Sequence, residues 1–226
     1  MKLGHVVIGG LGAAAGYALA VRPRHLRWGA TDAEVRRAMP RDQDVPHPTY
    51  VTNRAVTIAA PPEQVWPWLA QMGEWPRGGY YSYVWIERLM GMQVANADAV
   101  LPALQRVEEG DVLDRMGYMT VKAVEPGRYL VLGPPDAAAD VDSTWALALY
   151  PRVDGTTRLV SRVRARLPRG PRGLLWWALL DPGQFVMERK MLLGIKRRAE
   201  ALAAAGATAG LASLGPRQPS LARTAG

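Results

Sequence analysis

The sequence predicts an α+β domain: a curved antiparallel β-sheet wrapped around one long C-terminal helix, with two short helices after the first strand. Three patterns point that way. Tyr50–Ala59 is rich in Val, Thr and Ile and reads as a strand that Pro61-Pro62 stops. Short strand-like runs at 111–115, 118–125, 128–132, 143–150 and 156–167 are divided by Met116-Gly117, Pro126-Gly127, Gly133-Pro134-Pro135 and Asp154-Gly155, the composition of a meander joined by turns. Finally, Phe185, Met191 with Leu192, Ile195, Ala199 and Leu202 recur near the helical period, so 181–205 reads as a helix with one apolar stripe.

Before the first strand the pattern changes. From His5 to Val21 there is no Asp, Glu, Lys or Arg, while Lys2 precedes the run and Arg22, Arg24 and Arg27 follow it. As a helix this run spans roughly 25 Å, near the lower limit for crossing a bilayer. Residues 1–21 are therefore expected to be an N-terminal apolar helix that acts as a membrane anchor or a signal segment. Ala18-Leu19-Ala20 resembles a cleavage site. Gly12 and Gly16 have the small-xxx-small spacing that lets two such helices form a homodimer. The arginines that follow favour a membrane-anchored protein with a cytoplasmic domain; export after cleavage and a soluble cytoplasmic protein are the alternatives. Residues 22–49 read as a polar connector with one short helix, Asp32–Met39, announced by the capping-box spacing of Thr31 and Glu34.

Beyond the first strand, Pro62 at a first helical position opens a helix to about Met72, and Tyr83–Met90 forms a second that Gly91 ends. A loop of about twenty residues follows, containing Asn96, Asp98 and Pro102; that length usually means function or disorder. Asp181 as N-cap and Pro182 open the last helix, and Lys196, Arg197 and Arg198 fall late in it, where cations suit the helix dipole. The folded domain is thus 50–205, and the Gly/Ser/Ala/Pro composition of 206–226 predicts a disordered tail.

Composition narrows the function classes. At 226 residues, 49% hydrophobic and 21% charged, this is a globular chain able to bury a full core. It has no cysteine, which excludes disulfides, thiolate metal sites and a Cys nucleophile. The three histidines, His5, His25 and His47, lie near the N-terminus without ligand spacing, so no metal, no cofactor and no Ser-His-Asp triad is expected. A net charge of +8 favours an anionic partner. Without a helix-turn-helix, zinc or RNP motif, that partner is expected to be phospholipid and not nucleic acid.

Ile58-Ala-Ala-Pro-Pro-Glu-Gln-Val-Trp66 resembles the strand-to-helix signature of the START-like superfamily, also called SRPBCC proteins. Within it the chain is similar to the bacterial polyketide cyclase/dehydrase and lipid-transport group, and the element order over 50–205 is that of the helix-grip fold. The resemblance implies a cavity between sheet and long helix, used for a hydrophobic or amphipathic molecule. Members include lipid carriers, quinone-binding proteins and polyketide cyclases, so the fold does not set the function. The extended 78–106 region and the N-terminal segment depart from the minimal pattern, and both are positioned to cover a cavity mouth.

The candidate cavity lining combines Trp66, Tyr80, Tyr81, Tyr83 and Trp85 from the aromatic-rich stretch, Met119, Trp145 and Leu147 from the strands, and Phe185, Met187, Met191 and Ile195 from the last helix. Aromatic rings with polar tips and adaptable methionines suit an apolar guest, although the same residues serve as ordinary core. Asp98, Asp111, Asp114, Arg115 and Glu188 form no recognisable acid–base pair, so surface roles are expected and no catalytic residue is assigned. Arg158, Arg162, Arg164 and Arg166 share one strand face, expected to be solvated. A membrane contact is the sharper reading, joining them to Arg169, Arg172, Trp176 and Trp177. The expected function is binding or carriage of a hydrophobic, lipid-like molecule between sheet and helix. A polyketide cyclase/dehydrase-type enzyme, or an interaction module filled by its own side chains, are the alternatives.

Overall fold

The computed structural model describes residues 16–135, 143–167, 170, 173 and 180–213. A π-helical turn at Tyr17–Val21 leads into α1 (Arg22–Leu26), and α2 (Asp32–Arg36) follows. Next come β1 (Tyr50–Ile58), α3 (Pro62–Ala70) and α4 (Val84–Leu89), then an irregular stretch with one 3₁₀ turn at Pro102–Leu104. Strands β2 (Thr120–Glu125), β3 (Tyr129–Gly133), β4 (Ser143–Pro151) and β5 (Thr157–Ala165) precede α5 (Asp181–Ser213). The strands form one five-stranded sheet in the order β1-β5-β4-β3-β2, with β1 paired antiparallel to β5. The α+β arrangement expected from the sequence is therefore present, with the sheet open at both edges.

The pairing register decides which side chains share a face. Arg54 lies opposite Ser161, Ser161 opposite Leu147, and Leu147 opposite Leu130, so these four share the face that meets α5. On that face Leu130, Leu132, Leu147 and Leu159 join Met191, Leu192, Ile195 and Ala199 of α5 in one buried cluster. Each fully buried Leu or Ile contributes ~1.5–3 kcal/mol, which fixes the helix on this side of the sheet. Helix α3 closes the same core through Val65, Trp66, Trp68 and Leu69.

The other face of the sheet is covered as well. A second core of Met39, Ala55, Val131, Ala146, Ala148 and Val160 lies beneath the segment before β1. Three members of the arginine stripe, Arg158, Arg162 and Arg164, hold that segment down and do not form a solvated face, while Arg166 is exposed as expected. Arg158 pairs with Glu34 (2.6 Å). Arg162, 3% exposed, donates to Asn53 (2.6 Å), Asp42 (2.6 Å) and the carbonyls of Arg37 (2.8 Å), Glu34 (2.9 Å) and Val35 (3.0 Å). Arg164 donates to the Val45 carbonyl at 2.9 Å. Acceptors supplied by residues 34–45, far away in sequence, take the place that the alternation pattern assigned to water. Against the cost of its burial, Arg158 and the Thr31 N–H and hydroxyl hold the Glu34 carboxyl down to about 2.

Other local expectations shift. Residues 111–115 contribute only an isolated bridge, Val112 to Thr120, because the segment is taken up by turns around Asp114. Helix α2 stops at Arg36, three residues before Met39, whose side chain is needed in the second core. Leu180 is already helical, and the Asp181 carboxylate is taken sideways by Arg22, His25 and Tyr50 instead of capping α5. The helix runs to Ser213, past the expected end at Ala205, so Lys196, Arg197 and Arg198 sit in its middle and no helix-end dipole acts on them. Lys196 instead donates to the Thr57 carbonyl at 2.8 Å. Among the described residues no helix is long and apolar enough to cross a membrane. Residues 1–15, Gly12 among them, lie outside the described residues, while Gly16 has open space where a Cβ would be.

Candidate functional site

The interface between sheet and α5 is filled at its centre. Leu130, Leu132, Leu147, Leu159, Leu192 and Ile195 are all 0% exposed, so no water-sized void borders them. Trp145 and Met119 are half-buried against this core. Next to it lies a buried polar chain. Trp145 Nε1 donates to Ser161 Oγ (2.8 Å), Ser161 Oγ donates to Glu188 (2.7 Å), and Arg54 forms an ion pair with Glu188 and donates to the His25 carbonyl (3.0 Å). Sequence reasoning assigned Glu188 to the surface and passed over Arg54. The available signal was parity: Arg54 shares the inward register of Thr52 and Val56, and a buried guanidinium requires a partner. Glu188 sits on the apolar stripe of α5, between Phe185 and Leu192.

A second cluster joins the N-terminal segment to the start of α5. Asp181, fully buried, accepts from Tyr50 (2.8 Å) and Arg22 (2.8 Å) and lies 3.3 Å from His25. Phe185 stacks on His25 (ring centroids 5.1 Å) and meets Trp28 edge-on, so it serves this junction. Burial pushes the Tyr50 hydroxyl up and the His25 imidazole down. Each carboxylate in the two clusters already has its donors, as in structural ion pairs.

The aromatic-rich stretch builds a wall. Gly79 has a positive φ, and a Cβ there would lie 2.5 Å from Asn96 Oδ1. That close approach lets Asn96 accept from the Tyr81 N–H (2.7 Å) and donate to the Ser82 carbonyl (3.0 Å). Tyr81, 1% exposed, donates its hydroxyl to the Trp68 carbonyl (2.9 Å), and burial pushes that hydroxyl up. Gly194 makes room for it, since a Cβ would lie 2.6 Å from the Tyr81 carbonyl oxygen. Arg198 stacks over the Tyr81 ring at 4.9 Å and donates to the Ala97 carbonyl (2.8 Å) and to Asp98 (2.5 Å). Between this wall and the exposed side of α5 opens a cleft of about 610 Å³. Trp68, Ala99, Val100, Ala201 and Leu202 line it, with Asp98, Arg197 and Arg198. Its volume falls in the range of small-molecule sites, and it is shallow and widely open to solvent.

The residues expected to line one cavity are thus divided. Trp66, Tyr80, Tyr81, Leu147, Met191 and Ile195 are in the shared core. Tyr83 faces Lys190 (5.4 Å), the Met187 carbonyl accepts from Ser82 (2.8 Å), and Trp85 stands 67% exposed. Trp176, Trp177, Arg169 and Arg172 lie outside the described residues. Among the acidic candidates, Asp114 accepts from the Met119 N–H (2.9 Å) and Asp111 from the Glu108 N–H (2.9 Å), both local turn contacts. Glu87 was missed: it is 1% exposed, its Oε2 has no hydrogen-bond partner among the described residues, and burial pushes its carboxyl up to about 7. Among the described residues, no group of three or more His, Cys, Asp or Glu could hold a metal ion.

No protein-family profile matches the chain, and no curated protein matches it. Solved structures do. A solution structure of a Thermobifida fusca protein is 16% identical over 67% of this chain and 94% of its own, with TM-score 0.42. A Mesorhizobium loti crystal structure is 22% identical over 66% of this chain and 98% of its own, with TM-score 0.34. A conserved Enterococcus faecalis protein of unknown function is 15% identical over 74% and 86%, with TM-score 0.30.

Proposed function

We propose that this protein binds an apolar or amphipathic small molecule without converting it, and that the guest occupies the cleft beside α5. The observation that carries the reading is the cleft of about 610 Å³ with an apolar lining of Trp68, Val100, Ala201 and Leu202. The seat expected from the sequence, between sheet and helix, is taken at its centre by Leu147, Leu192 and Ile195. The Ile58–Trp66 signature supports the finer assignment to the START-like superfamily. The test is native mass spectrometry of the full chain as purified, followed by solvent extraction. A stoichiometric apolar guest supports the proposal. A chain that emerges empty and takes up no added amphiphile overturns it.

A second reading, an enzyme of the polyketide cyclase type, draws on the convergence of Arg54, Glu188 and Ser161 in the interior. It requires these groups to be released from one another before they can act on a substrate.

A further inference from the structure

We propose that the guest of the α5 cleft is an amphipathic anion, a hydrocarbon body with a carboxylate or phosphate head, and that Arg197 and Arg198 receive the head. This inference rests on the cleft being the binding site. The lining is apolar except for Asp98, Arg197 and Arg198. Arg198 is already committed to Asp98 and to the Ala97 carbonyl, and it holds the wall in place. Asp98 balances one of the two cations, so the cleft keeps an excess positive charge on Arg197. That side chain is exposed, and no ion pair to it is found among the described residues. An apolar floor beside an uncompensated cation selects a molecule with the complementary halves.

The test titrates the full chain by calorimetry with three probes of equal chain length: decanoate, decanol and decylammonium. The expected order is decanoate tightest, decanol roughly fivefold weaker, as befits one partly exposed ion pair, and decylammonium weakest. Arg197→Glu should weaken decanoate by at least that factor and leave decanol unchanged. Ala201→Trp, which fills the cleft from its exposed side, should remove binding of both. If none of the probes binds, the small-molecule reading itself falls. If decanol binds as tightly as decanoate, or Arg197→Glu leaves decanoate unchanged, the anion assignment falls while the cleft stands. Binding that survives Ala201→Trp moves the site elsewhere and overturns both. Co-sedimentation with phosphatidylglycerol vesicles, competed by decanoate, would identify a phospholipid as the source of the anion. Decanoate binding without vesicle association would identify a free amphiphile; either result supports the shared chemistry.

Discussion

Separating Arg54 from Glu188 should be the most damaging small change that can be made to this fold. The pair is 0% and 4% exposed at the side chains, so neither charge can turn to water when its partner is removed. Removing one member of a buried pair costs ~3–5 kcal/mol, mostly the desolvation of the charge left behind. Arg54→Met additionally strands the His25 carbonyl, and Glu188→Leu strands the Ser161 hydroxyl, which now donates at 2.7 Å. Arg54→Met/Glu188→Leu together removes both charges and leaves only these two neutral groups unpaired, at ~1–3 kcal/mol each. The singles are therefore each expected to cost more than the double, with a coupling energy of at least ~3 kcal/mol. For a chain of this length each single should lower Tm by ~6–20 °C. Urea unfolding followed by far-UV circular dichroism measures all four corners of the cycle. A single costing below ~1 kcal/mol, or a double equal to the sum of the singles, would refute the reasoning.

The remaining predictions concern other parts of the molecule. Glu87 has its carboxyl raised from 4.5 to about 7 by burial, so its contribution to stability is full below pH 4.5 and is lost as pH rises through 7. The full difference corresponds to ~3 kcal/mol. Glu87→Gln should match the parent near pH 4.5 and exceed its stability by that amount at pH 8; a gap that stays flat across this range contradicts the assignment. Arg162→Met removes the donors that hold residues 34–42 and should cost ~2–4 kcal/mol. It should also open Arg36 and Arg37 to trypsin, and an unchanged cleavage pattern would show that the clamp is elsewhere. Gly194→Ala would stabilise an isolated helix by ~1 kcal/mol. Here the Cβ would meet the Tyr81 carbonyl oxygen at 2.6 Å, so a net loss of ~1–2 kcal/mol is expected in thermal melts, and a gain would mean that the Tyr81 wall yields freely.

Signals that act over a few residues were legible in the sequence. The Thr31–Glu34 capping box forms as read, with Glu34 N–H donating to Thr31 Oγ1 (3.2 Å) and Thr31 N–H donating to Glu34 (2.7 Å). Pro61 and Pro62 end β1 and start α3, and the glycine turns divide the meander, since each depends only on local backbone geometry. The alternation of β5 correctly separated Leu159, Ser161 and Val163 from the arginines, because side-chain period in a strand is intrinsic to its backbone.

What lies against each face was a different matter. The stripe of arginines reads the same whether water or a folded-back segment lies against it, and only the tertiary structure put the carbonyls of residues 34–45 there. Arg54 and Glu188 are 134 positions apart, and the cleft gathers Trp68, Val100 and Leu202 from three distant segments. Local chemistry thus set the elements and their polarity. The partners of each face followed from chain closure over more than a hundred residues, and so did the cleft beside α5; no short-range pattern carries that information.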